Sequence, residues 1–129
     1  MSNSIKSTKV VFFGTSDRSL PILNTLKDNF DLVLCVTKSD TLVGRKKITR
    51  ETEVKKWAKQ NEVEVLTIDS LKNEDLEHLL RRLEKHKPDI GVVADFSFMI
   101  PKSVIDSLNG KIINIHFSLL PKYRGASPV

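Results

Sequence analysis

Two polar side chains interrupt an apolar run late in the chain, Ile112-Ile113-Asn114-Ile115-His116. Side chains alternate along a strand, so Asn114 and His116 share one face, at the strand's C-terminal end. That pairing suits proton transfer and the stabilisation of negative charge. An amide N–H can stabilise a developing oxyanion, and an imidazole can pass protons near neutral pH. The alternative is a pair of core polar groups satisfied by backbone. Asp95 follows another apolar run, and a turn or capping role suits it better than catalysis. The turn Gly14-Thr15-Ser16-Asp17-Arg18-Ser19 holds one glycine, so it is neither a dinucleotide fingerprint nor a phosphate-binding loop of the Walker type. It reads as a tight strand-to-helix turn that could still hold an anion. His78 and His86 lie on the polar side or end of a helix and receive no role.

The elements that must position Asn114 and His116 follow from periodicity. Short β-branched or apolar runs at 9–14, 32–37, 64–68, 90–94 and 111–115 predict five strands. Between them lie helical stripes: Leu20, Ile22, Leu23 and Leu26; Val54, Trp57 and Ala58; Leu76, Leu79, Leu80 and Leu83; Val104, Ile105 and Leu108. Ser16 or Ser19 is expected to cap the first helix, with Pro21 in its first turn. Pro88 is expected to stop the third helix, Pro101 to open the fourth and Gly110 to close it at C′. Residues 39–47 show no periodicity and read as a loop. Strand–helix alternation predicts an α/β fold, a Rossmann-like open, mostly parallel sheet with helices on both faces. In such a sheet ligands bind beyond the carboxyl ends of the strands, where Asn114 and His116 stand. No helix is predicted after 117–129, so the fold reads as cut short, with 1–8 a flexible N-terminus and 9–129 an incomplete domain.

Composition narrows the function further. The chain has 129 residues, a 40% apolar fraction and 29% charged residues, the profile of one soluble domain. Its single cysteine, Cys35, sits in an apolar run and reads as a buried hydrophobe, which excludes a disulfide framework and a multi-cysteine zinc site. No metal is expected. Absence of a long apolar stretch predicts no membrane span, and the polar N-terminus carries no secretory pattern; a cytoplasmic monomer is expected. The formal charge is +5, and residues 38–60 account for it with eight basic and three acidic side chains. Such a patch suits a polyanionic partner, nucleic acid first, or else a solvated face.

Asn114-Ile115-His116-Phe117-Ser118-Leu119-Leu120-Pro121, followed by Lys122-Tyr123-Arg124-Gly125-Ala126-Ser127-Pro128, resembles the signature of folate-dependent formyltransferases. Phe12-Phe13-Gly14-Thr15 and the stretch from Val93-Ala94 to Ile100-Pro101 fit as well. Within that family the resemblance is strongest to members that act on methionyl-tRNA. Asp40 leading to Gly44-Arg45-Lys46-Lys47 matches their acceptor-end loop. The resemblance implies the N-terminal part of a catalytic domain that uses 10-formyltetrahydrofolate as formyl donor and initiator methionyl-tRNA as acceptor. It implies Asn114 and His116 as catalytic residues, Ser118, Leu119, Leu120 and Pro121 at the folate, and Arg45, Lys46 and Lys47 at the tRNA. Three departures stand out. Phe117 replaces the usual glycine, Asp95-Phe96 replaces Tyr-Gly, and the family's catalytic aspartate falls beyond Val129, so the 129 residues are expected to be inactive alone. Two alternatives remain. One is a formyltransferase for a nucleotide sugar or glycinamide ribonucleotide, against which the 44–47 loop speaks. The other is a non-catalytic basic α/β module that binds RNA or a partner.

Overall fold

The computed structural model describes residues 6–116. Five strands form one parallel sheet: β1 (Lys9–Gly14), β2 (Asp31–Lys38), β5 (Val65–Ile68), β6 (Ile90–Ala94) and β7 (Ile112–Ile115). Their spatial order is β5-β2-β1-β6-β7. The chain therefore winds outward from β1 through β2 to β5, then returns to build β6 and β7 on the other side. Strand order reverses between β1 and β6, which opens a crevice at their carboxyl ends. This is the Rossmann-like architecture that the alternation predicts.

Four helices cover the sheet: α1 (Leu20–Asn29), α2 (Glu53–Gln60), α3 (Asn73–His86) and α4 (Lys102–Ser107). Period-two alternation in β1 sends successive side chains to opposite faces. Val10 and Phe12 pack with Leu23 and Leu26 of α1 and with Val54, Trp57 and Ala58 of α2. Val11 and Phe13 pack with Leu79 and Leu83 of α3 and with Val104 and Leu108 beside α4. Both phenylalanines are fully buried, and each such ring stabilises the fold by about 1.5–3 kcal/mol. Cys35 is likewise fully buried, and burial pushes its thiol pKa up to about 12. Trp57 anchors α2 to α1 through its indole N–H, which donates to Asn24 Oδ1 at 2.8 Å.

Three local readings change. The segment 39–47 is not a plain loop, because β3 (Thr41–Val43) and β4 (Ile48–Arg50) pair as an antiparallel hairpin. The α4 terminus places Asn109 at C′, with Gly110 after it; both have positive φ, 56° and 75°. Ser19 stands at the N-cap position of α1 as expected, but its hydroxyl donates to the Ala94 carbonyl at 3.0 Å instead of capping the helix, and Ser16 caps a short 3₁₀ turn, Asp17–Ser19. No helix of the described residues is long and apolar enough to cross a membrane.

Candidate active site and its basic hairpin

The β1 and β6 termini are fastened to each other before any ligand arrives. The Thr15 amide donates to the Asp95 carbonyl at 3.1 Å. Ser97 donates to Thr15 Oγ1 twice, from its amide at 3.2 Å and its hydroxyl at 3.1 Å. The Ser16 hydroxyl donates to the Asp95 carboxylate, and Arg18 Nε lies 4.0 Å from the same carboxylate oxygen. Asp95 adopts a left-handed backbone, φ 56°, which aspartate tolerates better than most residues. Its role is the turn role expected from sequence, now with partners. Gly14 is required here by close approach. A Cβ on it would stand 2.8 Å from the Ala94 carbonyl oxygen and 2.5 Å from the Phe12 ring.

Beyond these turns lies an open cleft of about 900 Å³. Asn114 and His116 line it, with Arg18 and Asp95 across from them in the fold. Apolar walls come from Phe96, Phe98, Ile100, Ile105 and Ile112. The aromatic wall is an edge-to-face ladder: Phe13 to Phe96 at 5.6 Å and Phe96 to Phe98 at 5.4 Å between centroids. The ladder ties the 95–100 loop to the buried core. Both Asn114 and His116 are exposed, and neither side chain hydrogen-bonds any described residue. Among the described residues, nothing satisfies the two side chains from the backbone. A concave, largely apolar cleft with a few convergent polar groups is the usual form of a small-molecule site. Ser118, Leu119, Leu120 and Pro121 lie outside the described residues, as do residues 1–5 of the expected flexible N-terminus. Among the described residues no cluster of histidine, cysteine and acidic side chains could hold a metal ion.

Arg45, Lys46 and Lys47 form the tip of the β3–β4 hairpin, between the paired residues Val43 and Ile48. Gly44 and Lys47 have positive φ, 78° and 54°, and the Lys47 amide closes the turn onto the Gly44 carbonyl at 3.2 Å. The structure divides the basic segment in two. Lys55 lies 2.9 Å from Asp40 and 3.4 Å from Glu51, Lys59 is 2.7 Å from Glu51, and Lys56 is 3.4 Å from Glu53. Those three lysines are matched by acids. Lys38, Arg45, Lys46, Lys47 and Arg50 have no ion pair among the described residues. The unmatched charge thus concentrates on the hairpin and its roots. Exposed Leu42 and Ile48, 62% and 61% accessible, share that hairpin. Neither the hairpin nor Arg18's place in the cleft is apparent from sequence. The small polar pocket at Thr15, Ser16 and Asp17 is completed by Arg50, Glu51, Thr52 and Glu53, so the hairpin's second root abuts the β1 turn.

The chain belongs to the formyl transferase family, whose sequence pattern matches residues 8–129. It is 38% identical over 125 residues to a methionyl-tRNA formyltransferase of Campylobacter jejuni, covering 94% of this chain and 39% of that protein. A methionyl-tRNA formyltransferase of Bacillus cytotoxicus is 40% identical over 122 residues, covering 94% and 38%. The chain thus spans about two fifths of these relatives. Among solved structures, glycinamide ribonucleotide transformylase 1 from Geobacillus kaustophilus superposes with a TM-score of 0.67 at 21% identity, over 94% of this chain and 64% of that one. At that identity the likeness establishes the fold, a formyltransferase fold.

Proposed function

We propose that this member of the formyl transferase family serves to move a formyl group from 10-formyltetrahydrofolate to the amine of initiator methionyl-tRNA. The observation that carries the reading is the placement of Asn114 and His116, both exposed and with no side-chain partner among the described residues, in the cleft at the carboxyl edge of the sheet. Attack of an amine on a formyl carbon turns a carbonyl into a tetrahedral oxyanion. Asn114 would donate a hydrogen bond to that oxygen, where donors act on charge that exists only near the transition state. His116 would stabilise the charge and relay the amine's proton. The folate donor fits the cleft's chemistry, because Phe98, Ile100 and Ile112 offer apolar walls for a planar ring and Arg18, Asp95, Asn114 and His116 supply polar groups among the lining residues. Ser118, Leu119, Leu120 and Pro121 would complete that wall. The 129 residues alone would bind but not turn over, since members of a catalytic unit act together.

Transfer RNA is favoured over a small acceptor by the unmatched charge of the hairpin. Arg45, Lys46 and Lys47 would meet phosphates and splayed bases at the acceptor end, arginine in a bidentate manner. Titration of labelled initiator tRNA at several salt concentrations tests this. Arg45→Ala is expected to weaken binding and flatten the salt slope by about 0.7–0.9 per lost phosphate contact. An unchanged slope, with a second phosphate-contact variant shifting it, would return the choice to a small acceptor.

A further inference from the structure

The β3–β4 hairpin has little of its own to hold it in place. Its strands are three residues each, Leu42 and Ile48 point to solvent, and an isolated two-stranded hairpin is marginal in water. What holds it lies at its two roots. Asp40 precedes β3 and Glu51 follows β4, and one ammonium group reaches both. Lys55 Nζ lies 2.9 and 3.1 Å from the two oxygens of Asp40 and 3.4 Å from Glu51. Lys59 holds the other side of the shared Glu51 oxygen at 2.7 Å. Beneath them the hydroxyls of Thr37, fully buried, and Thr52 meet at 2.9 Å, joining the end of β2 to the cap of α2. Because Lys55 is seated in the first turn of α2, the clasp ties the hairpin to a helix packed on the core. Glu51 also lines the pocket beside Thr15 and Ser16, so the clasped root sits against the turn that flanks the cleft.

We infer that Lys55, with Asp40 and Glu51, is a positioning group that sets the angle of the basic hairpin toward its polyanionic partner. This rests on the reading of the hairpin as an RNA-binding element. Lys55 is not itself the contact, since its charge is spent on two carboxylates. A clasp of this kind aids binding by ordering the hairpin before the partner arrives, so the bound state loses less freedom.

Positioning and simple charge make opposite predictions. Asp40→Asn/Glu51→Gln removes two negative charges beside a basic element. If charge alone governed binding, affinity for RNA would rise. If the clasp positions the hairpin, affinity falls, by about three- to tenfold on the scale of one or two side chains left to be ordered on binding. The probe is a tRNA acceptor minihelix with a single-stranded 3′ end, titrated against the 129-residue chain at low and moderate salt. Near-isosteric replacements preserve the fold, and Asp40→Asn alone provides a milder version of the same comparison. Hydrogen exchange of the 41–50 amides is a second readout, expected to quicken in both acid variants and in Lys55→Met, and to be restored in Lys55→Arg. Weaker binding with faster hairpin exchange supports the clasp. Unchanged or tighter binding by the double variant overturns it and leaves the RNA reading standing. Failure of the unsubstituted chain to bind the minihelix at low salt overturns the RNA reading, and the clasp's role with it.

Discussion

Replacing Gly14 by alanine tests whether the crevice is set by backbone contact between β1 and β6. The new methyl would lie 2.8 Å from the Ala94 carbonyl oxygen, and 2.5 and 2.7 Å from two atoms of the Phe12 ring. Real Cβ contacts start near 3.0–3.4 Å, so something must shift by a few tenths of an ångström. Phe12 cannot yield cheaply, because it is fully buried between α1, α2 and the sheet. The carbonyl belongs to a strand residue paired directly with Gly14, so moving it parts the ladder at that step. Overpacking of this kind costs about 1–3 kcal/mol. Parting the strands there also strains the Thr15–Asp95 bond next in line. Urea unfolding followed by Trp57 fluorescence measures the effect. An unfolding free energy lowered by about 1–3 kcal/mol, seen as a lower urea midpoint at constant slope, is expected, about 4–8 °C in Tm per kcal/mol for a 60–100-residue domain and somewhat less for a larger one. A loss within 0.5 kcal/mol would mean that the two strands give way freely and that close approach does not explain the glycine.

Other outcomes follow from the same geometry. In a chimera joining this chain to the remainder of a full-length relative, Asn114→Ala or His116→Ala is expected to lower kcat by about 10²-fold or more with little change in KM, measured as formyl transfer to methionyl-tRNA; near-normal kcat with raised KM would make the two residues binding groups. Glu51 is held below its ordinary carboxylate pKa by hydrogen bonds from Lys59 and then Lys55. Its contribution is therefore complete above the ordinary pKa and lost as pH falls through the lowered one, so acid should lower the protection of the hairpin amides, relative to their intrinsic exchange rate at each pH, well before that of the core strands. Lys55 has the opposite sign: its pKa is raised, chiefly by the hydrogen bond to Asp40, so its contribution holds up to the ordinary lysine range and is lost only above it. Cys35, with its thiol pushed to about 12 by burial, should react with a thiol reagent at pH 8 only as fast as the protein opens; rapid labelling of the folded chain would contradict that burial.

Sequence periodicity carried the sheet because its central strands are buried on both faces. Val10 to Phe13 and Leu34 to Val36 form uninterrupted apolar runs, and the helical stripes Val54, Trp57, Ala58 and Leu79, Leu83 fall on the core. The hairpin escaped the same reasoning for a physical reason. Neither of its faces is buried, so Thr41, Leu42 and Val43 show no alternation to read, and pairing is fixed instead by the turn at Gly44 and by the roots. Asn109 at C′ was obscured by the glycine beside it, since both residues take positive φ and glycine is the commoner choice. Asn114 and His116 were legible because polar residues in an apolar run demand an explanation. Their lack of side-chain partners among the described residues was not, because it depends on what the neighbouring strands and turns bring near.

The clasp marks the deeper limit. Charge counting assigned eight basic residues of 38–60 to one patch, but it could not say which charges are available. Asp40 and Lys55 are fifteen positions apart, and only the hairpin's return brings Glu51 to the same ammonium. The fold thereby divides one basic segment into two working parts. Lys55 and Lys59 spend their charge on acids at the hairpin's base, where shared carboxylates make a network rather than isolated surface pairs. Arg45, Lys46 and Lys47 keep theirs at the tip, four residues that turn in solvent with the glycine before them. An unclasped hairpin with the same composition would attract RNA equally well from a distance, because long-range attraction depends on net charge. It would dock less well, because docking depends on where the charges are held. On the proposed reading, a single segment would both approach a polyanion and dock it against the turn at Thr15 and Ser16, provided that its acids are kept as well as its bases.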